Sequence, residues 1–312
     1  MIFLSLYNPR LIMFALYFFH KPVYNSCMAK DNPLIKPFLK WAGGKRQLLS
    51  EIKKHLPNNI SNCVYYEPFL GAGAVFFYLQ PKKAVINDFN RQLILTCNVI
   101  KENVNELIVL LEKYKKKNDE DNFYRIRNMD REPEKFTGLS NIEKAARLIY
   151  LNKTCFNGLY RVNSRGFFNV PYGKYKNPAI CEETALRHVS DYLNANKIEI
   201  LCGDFEDAVK KADNKSFVYF DPPYHSPGKI NFTGYQAEGF DENEQKRLRD
   251  VFLKLTDRGV KCLLSNSDTD YVRELYKNKI FKIISVQAKR MINSDSSGRG
   301  SVCEVLVKNW KD

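Results

Sequence analysis

Four short runs of strand-forming residues each deliver a polar or acidic side chain near their carboxyl end, and a chain patterned this way has few folds open to it. In KKAVINDFN the run 84–87 leads into Asp88; KIEILCGDF reaches Asp204, SFVYFDPPY reaches Asp221 and VKCLLSNSD reaches Ser265. Another strand begins at Val64 in VYYEPFLGAGAVFFYL, followed by a glycine-bearing loop and an apolar helix, and CEVLVKNW reads as a strand near the end of the chain. Strands alternating with helical stretches indicate βαβ units and hence an α/β fold with a doubly wound, mostly parallel sheet. In such sheets the ligand crevice lies beyond the carboxyl ends of the strands, so Asp88, Asp204, Asp221 and Ser265 are expected to share one site.

At 312 residues the chain can bury a core large enough for one α/β unit with an insertion. Its 49 Lys and Arg against 35 Asp and Glu leave a net charge of +14, which favours a polyanionic partner, nucleic acid first and an anionic membrane surface second. The eight cysteines form no CxxC pair and no Cys/His cluster at zinc-ligand spacing. Reduced, buried thiols in a cytoplasmic protein are therefore expected, without a metal or disulfide framework. No run of about 18 uncharged apolar residues is present, so no spanning helix is expected. LIMFALYFF, Leu11 to Phe19, follows Arg10 like a signal-peptide core but lacks a small-x-small cleavage site, and Met28 opens a stretch that reads as a cytosolic start. Residues 1–27 are read as a non-native or disordered leader, with a membrane-associating leader as the alternative.

Residues 91–151 are patterned mostly as helix, with KYKKKNDEDN as a solvated helix end or loop. From Lys144 to Pro178 there are seven Lys or Arg and no Asp or Glu, interleaved with aromatic and turn-forming residues in NKTCFNGLYRVNSRGFFNVPYGKYKNP. There NG, SRG and PYG mark hairpin turns, and the mixture of cations and aromatics suits phosphates and bases.

The chemistry concentrates in two stretches. In EPFLGAG a glycine turn after the first strand lets backbone approach a ligand, while Asp88, ending the second strand, can accept both hydroxyls of a ribose. The glycines follow FxGxG rather than GxGxxG, which suits a nucleoside joined through a sulfonium rather than a pyrophosphate. A tight turn without a ligand, with Asp88 as a helix cap, is the alternative. DPPY is more specific. An exocyclic aromatic amine is a poor nucleophile because its lone pair is delocalised into the ring, so a catalyst must draw the nitrogen toward tetrahedral geometry. Asp221 and the carbonyl of Pro222 supply two acceptors for that purpose. Tyr224 can stack on the flat ring, and the prolines restrict the turn so that these groups stay aimed.

Taken in order, KPFLKWAGGKRQLL, YYEPFLGAGAVFF, VINDFN, NGLYRVNSRGFFNVPYGKYKNP, FVYFDPPY, NFTGY and LLSNSD resemble the Dam/DpnM-type adenine-N6 DNA methyltransferases (D12 class, alpha group), over nearly the whole span from Pro37 to Trp310. The resemblance implies a class I S-adenosylmethionine-dependent methyltransferase fold. Residues 28–100 and 195–312 would form the catalytic, cofactor-binding domain, and residues 101–194 a helical and β-hairpin target-recognition insert. It further implies a cofactor site made of Trp41, Ala42, Gly43 and Lys45 in KWAGGK, with Glu67, Phe69 and Gly71 from the glycine turn. Asp88 would hold the ribose, Asp204 and Phe205 would flank the cofactor adenine, and Asp221 would lie between cofactor and target base. Asp221, Pro222 and Tyr224 would be catalytic.

On the DNA side, Lys40 matches a lysine that contacts the guanine of the target, and Asn157, Leu159, Arg161 and Pro171 match the positions through which Dam relatives read GATC. Arginine is the best bidentate reader of guanine O6 and N7. Phe156 stands where Dam has a tyrosine that wedges into the stack as the base leaves, and a phenylalanine can still wedge. Lys153, Arg165, Lys174 and Lys176 are expected on phosphates, which position without specifying. NFTGY is similar to a mobile loop that closes over the flipped base, and QAKRMINSDSSGRGS reads as a basic loop near phosphate. The implied activity is transfer of a methyl group from S-adenosylmethionine to N6 of a flipped adenine in double-stranded DNA, within GATC and without a metal. A cognate restriction nuclease acting on the same site is a candidate partner, and no stable membrane association is expected. An N-methyltransferase of RNA adenine or protein glutamine, and a catalytically silent DNA-binding relative, are the alternatives.

Overall fold

SFVYF is apolar or small at every position, and it forms a strand, Ser216–Phe220, buried along its whole length. A strand without a solvent face needs cover on both sides, which is the condition met in the middle of a parallel sheet. The computed structural model describes residues 32–226, 240–289 and 301–311, apart from Ala42 and Arg46. The leader 1–27, Ala42 of the expected cofactor site, the NFTGY loop and most of QAKRMINSDSSGRGS lie outside the described residues.

In chain order the elements are α1 (Leu49–Lys54), β1 (Val64–Glu67), α2 (Ala74–Leu79), β2 (Lys83–Asp88), α3 (Arg91–Glu102), α4 (Val104–Lys116), α5 (Glu120–Arg127), α6 (Pro133–Gly138), α7 (Asn141–Thr154), α8 (Glu183–Ala195), β3 (Lys197–Cys202), α9 (Phe205–Ala208), β4 (Ser216–Phe220), α10 (Glu242–Asp257), β5 (Lys261–Ser267), α11 (Asp270–Leu275), β6 (Lys282–Lys289) and β7 (Ser301–Lys308). The strands form one sheet in the order β3-β2-β1-β4-β5-β7-β6. All neighbours are parallel except β7, which runs antiparallel to β5 and β6. This is the doubly wound, mostly parallel sheet expected, with its strand order reversing between β1 and β4.

Alternation along β4 divides the core. Phe217 and Tyr219 face one apolar layer with Leu93 of α3 and Leu148 of α7, while Val218 and Phe220 face a second with Leu248 and Phe252 of α10. Local signals place the helix starts. Asn90 Oδ1 accepts from the Leu93 amide at 3.0 Å to cap α3, and Ser140 with Glu143 forms a reciprocal capping box on α7.

Three details differ from expectation. Ser265 lies inside β5, not at its end, because pairing with β7 extends the strand to Ser267. Of the three expected hairpin turns only SRG is one: Asn163 donates its amide to the Phe167 carbonyl at 2.9 Å and Gly166 sits at φ +79°. NG forms a single helical turn, Phe156–Gly158, and PYG runs alongside residues 154–155, where the Gly173 amide bonds the Thr154 carbonyl at 2.8 Å. The seven described cysteines are all free; four are buried, Cys181 is half-buried, and Cys202 and Cys303 are exposed, so the expectation of buried thiols holds only in part. Among the described residues no helix is long and apolar enough to cross a membrane.

Two of the seven cations counted from Lys144 to Pro178 are not at the surface. Arg147 is 1% exposed and pairs with Asp130 at 2.7 Å, and its guanidinium also donates to the carbonyls of Ile126 and Arg127. Asp130 in turn pairs with Arg131 and accepts the Phe168 amide at 2.8 Å, fastening the hairpin to the helices. Lys153, expected on phosphate, pairs instead with Glu182 at 2.7 Å, and Lys36 shares that carboxylate. Removing one member of a buried pair strands the other charge in a low-dielectric interior. Asp130→Ala is accordingly expected to lower the unfolding free energy by about 3–5 kcal/mol, measured by urea denaturation. A loss under about 1 kcal/mol would show that the carbonyl partners suffice for Arg147.

Candidate active site

Parallel register brings the ends of β1, β2 and β4 together: Glu67 pairs with Ile86, and Tyr66 with both Val85 and Val218. Glu67 is buried at the end of β1 and accepts the Tyr65 hydroxyl at 2.6 Å. Burial pushes its carboxyl well above the usual range, against the pull of that hydrogen bond. Asp88 turns its carboxylate back into the glycine loop, where Oδ2 accepts the Gly71 amide and Oδ1 the Asn90 amide, both at 2.8 Å. Gly71 is required there. Its φ is +51°, and a β-carbon would lie 3.1 Å from the Trp41 ring.

Lys45 joins the KWAGGK segment to the DPPY turn. Its Nζ lies 2.7 Å from Asp221 Oδ1, donates to the Gly43 carbonyl at 2.6 Å, and sits 4.5 Å from the centre of the Tyr224 ring. Ser265 donates to the same Asp221 oxygen at 3.0 Å and contacts the Tyr219 hydroxyl at 3.0 Å. Burial raises the Asp221 carboxyl, and the Lys45 cation and the two hydrogen bonds oppose it. Trp41, Gly43, Lys45, Glu67, Gly71 and Asp221, six of the expected cofactor residues, line one cleft.

Phe69 and Phe205 stand beside this cleft's glycine loop and stack on each other with centroids 5.1 Å apart, closed by Phe240 at 5.7 Å from Phe69. Asp204 caps α9 through the Glu206 amide and pairs bidentately with Arg247, at 2.9 and 2.6 Å, so its carboxyl is held below the usual range. The Arg247 guanidinium lies 4.2 Å from the centre of the Phe205 ring. Phe89, next to Asp88, is exposed despite its size and marks the same rim.

The DPPY turn is clamped by residues to which the sequence assigned no role. Gln245 donates to the Pro223 carbonyl at 2.9 Å and accepts from Asn266 at 3.0 Å; Asn266 accepts the His225 amide at 3.1 Å. His225, which has no evident chemical role from sequence, stacks on Tyr271 at 4.4 Å and contacts Thr269 at 3.2 Å, while its carbonyl accepts from Ser267 at 2.6 Å. Pro222 is buried between these held residues. A signal for Gln245 exists: it occupies the buried stripe of α10 shared with Leu248, Val251, Phe252 and Leu255, where an amide needs partners.

On the other side of KWAGGK, Asn152 uses its amide as a bracket. It accepts the Lys40 amide and donates to the Lys40 and Gly158 carbonyls, at 2.8, 2.8 and 3.0 Å. Lys40, Phe156, Asn157, Leu159 and Pro171 are thereby grouped, with Phe156 half exposed and its amide on the Pro171 carbonyl at 2.9 Å. Tyr175 completes the group: its hydroxyl accepts the Asn157 amide at 2.9 Å and its ring lies under Lys40. Asn157 adopts φ +56°, a left-handed conformation that this bond supports. Arg161 is exposed farther along the hairpin, its Nε on Asn169 at 2.7 Å, and Lys174 lies 3.8 Å from Glu120 with both side chains largely exposed. The two groups of residues meet at Trp41, which stacks on Tyr160 with centroids 5.0 Å apart. Among the described residues no cluster of three or more His, Cys, Asp or Glu is placed to hold a metal ion.

The family model for D12 class N6 adenine-specific DNA methyltransferases matches residues 41–292. The chain belongs to that family. A type II methyltransferase of Lactococcus lactis subsp. cremoris, M1.LlaDCHI, is 45% identical over 284 residues, covering 91% of this chain and 98% of that protein. M.MjaIII of Methanocaldococcus jannaschii, also a type II methyltransferase, is 43% identical over 88% of this chain and 99% of its own length. The DNA adenine methylase of Escherichia coli K12 is 35% identical over 87% of this chain and 94% of its length. The protein is thus an adenine-specific DNA methyltransferase, and its seven-stranded sheet is that of a class I methyltransferase.

In this methyltransferase Lys45 is the charge that keeps the raised Asp221 carboxyl from rising further. A carboxylate that must be ionised loses activity as pH falls through its pKa, so removing the cation moves that loss to higher pH. Lys45→Met is expected to shift the acid limb of the pH–rate profile for single-turnover methylation upward; an unmoved limb would detach Asp221 from that limb.

Proposed function

We propose that the enzyme takes its methyl group from S-adenosylmethionine and places it on N6 of an adenine flipped out of duplex DNA, within GATC. The observation that carries the reading is the Asp221 carboxylate at the base of the cleft, held by Lys45 and Ser265 beside the ring of Tyr224. One acceptor and one aromatic face together suit a flat amine.

The cleft residues suit the cofactor. Gly71 brings backbone close to Trp41, and the Asp221 carboxylate beside the aromatic faces of Trp41 and Tyr224 suits a cationic sulfonium. Each Asp88 oxygen accepts one amide and retains acceptor capacity for a ribose hydroxyl. Trp41, Gly43 and Lys45 with Glu67 and Gly71 would hold the cofactor, Asp88 its ribose, and Phe69, Asp204 and Phe205 its adenine. When bound, S-adenosylmethionine supplies an electrophilic methyl group on a sulfonium. Asp221 and the Pro222 carbonyl accept from the target amine, drawing its lone pair out of the ring, and Tyr224 stacks on the base. Asp221 helps discharge the proton that the methylated amine loses. Unstacking the adenine is offset by Tyr224 and by Phe156 as a wedge.

Arg161, Asn157, Leu159, Pro171 and Lys40 would read the target, with Lys174 on phosphate. The bracket from Asn152 and the Tyr175 bond support this grouping by fixing the backbone that carries Lys40 and Asn157. The two type II relatives support a further part of the proposal, a restriction nuclease that cuts the same unmethylated site.

Asp221→Ala should abolish methylation while duplex binding persists; turnover at the wild-type rate would remove the mechanism. DNA treated with the enzyme and S-adenosylmethionine should become sensitive to a nuclease that requires methylated GATC and resistant to one that methylation blocks. In the same assay Arg161→Ala should reduce discrimination at its guanine position by about 1–3 kcal/mol. An equal loss on all sequences would make Arg161 a phosphate contact.

A further inference from the structure

Glu304 is a buried carboxylate beside the catalytic turn, 6% exposed, on the inner antiparallel strand β7. It pairs in register with Ser267 of β5 and Val286 of β6, and its Oε2 accepts the Tyr224 hydroxyl at 2.7 Å. We propose that Glu304 is a positioning residue for methyl transfer: through the Tyr224 hydroxyl it fixes the plane of the ring on which the target adenine stacks. The inference rests on the reading of Tyr224 as the stacking surface for that base.

The backbone around Tyr224 is already held on both sides, at the Pro223 carbonyl by Gln245 and at the His225 amide by Asn266. The plane of the ring is a separate matter from its backbone. The torsion that turns a tyrosine ring is broad and roughly two-fold, so its plane follows its contacts and not an intrinsic preference. Lys45 Nζ lies over the ring, 4.5 Å from its centre, so the ring turns a face toward the cleft that holds Asp221. A hydroxyl donating to a buried carboxylate makes a charge-assisted bond, stronger than a neutral one. Rotation of the ring would break that bond, so the bond opposes it. The stacking plane is therefore anchored from β7, which lies beyond β5 in the sheet and carries Glu304 80 residues later in the chain.

The test is single-turnover methylation of a GATC duplex by the full chain with S-adenosylmethionine, alongside the duplex Kd, for Glu304→Ala, Glu304→Gln, Tyr224→Phe and the Glu304→Ala/Tyr224→Phe double variant. Methylation of the duplex by the wild type is the precondition of the comparison, and its absence would count against the proposed function and not against Glu304. Glu304→Ala is expected to slow the methyl-transfer step about 10- to 100-fold, the scale of a small misplacement of reacting groups, with the duplex Kd changed less than about twofold. Glu304→Gln keeps an acceptor and should stay within about threefold of the wild type. Tyr224→Phe should be slowed like Glu304→Ala, and the double variant should be no slower than Tyr224→Phe. A wild-type rate in Glu304→Ala would overturn the proposal, as would a double variant slowed by both factors multiplied. Should Glu304→Ala fail to fold, Tyr224→Phe decides: it removes only the hydroxyl, and a wild-type rate there overturns the proposal.

Discussion

Parallel pairing of β2, β1, β4 and β5 is the constraint on which the rest of the molecule depends. Because these strands run the same way, every one of them ends on the same edge, and the residues that follow them converge without any being close in sequence. Glu67, Asp88 and Asp221 gather there, and Ser265 reaches Asp221 from within β5. Reversal of strand order between β1 and β4 opens the crevice between their connections. An antiparallel arrangement of the same strands would scatter these groups to opposite edges.

Three carboxyl groups gather at that edge, an unusual number for a largely buried place. Burial raises the carboxyls of Glu67, Asp88 and Asp221, and Lys45 supplies the opposing cation on Asp221. Such a pair is weak evidence for stability, since desolvation offsets much of the attraction. What it does here is fix a position: Lys45 holds Asp221 against the KWAGGK segment. The clamp of Gln245, Asn266, Ser267 and Glu304 around the turn has the same character, because each removes freedom from groups that must stay aimed.

The short segment Lys40–Lys45 connects the two halves of the task. Its start is bracketed by Asn152 of α7 against Gly158, its middle stacks Trp41 between Gly71 and Tyr160, and its end places Lys45 on Asp221. The group around Lys40 and Asn157 and the cleft are thus joined by one short piece of chain.

Much of the fold was legible in the chain because it rests on local patterns: uninterrupted apolar runs gave the buried strands, and Asn90 after the second strand gave the start of α3. The cleft residues of EPFLGAG and DPPY were legible as a glycine turn and an acid closing a strand, whereas Trp41, Gly43 and Lys45 of KWAGGK were expected only through the family resemblance. Sequence could not separate cations that face DNA from cations that hold the protein together. Arg147 and Lys153 look like their neighbours, and only the buried Asp130 and the distant Glu182 decide otherwise. Nor could it find Gln245, Asn266, Tyr175 or Glu304, whose roles arise from hydrogen bonds between residues far apart in the chain. The sequence by itself determined six of the seven strands, all but β6, and the order of the motifs, because each depends on neighbours a few residues away. The tertiary structure decided which charges are spent inside and what holds Tyr224, because burial and long-range partners exist only once the sheet has brought β7 alongside β5.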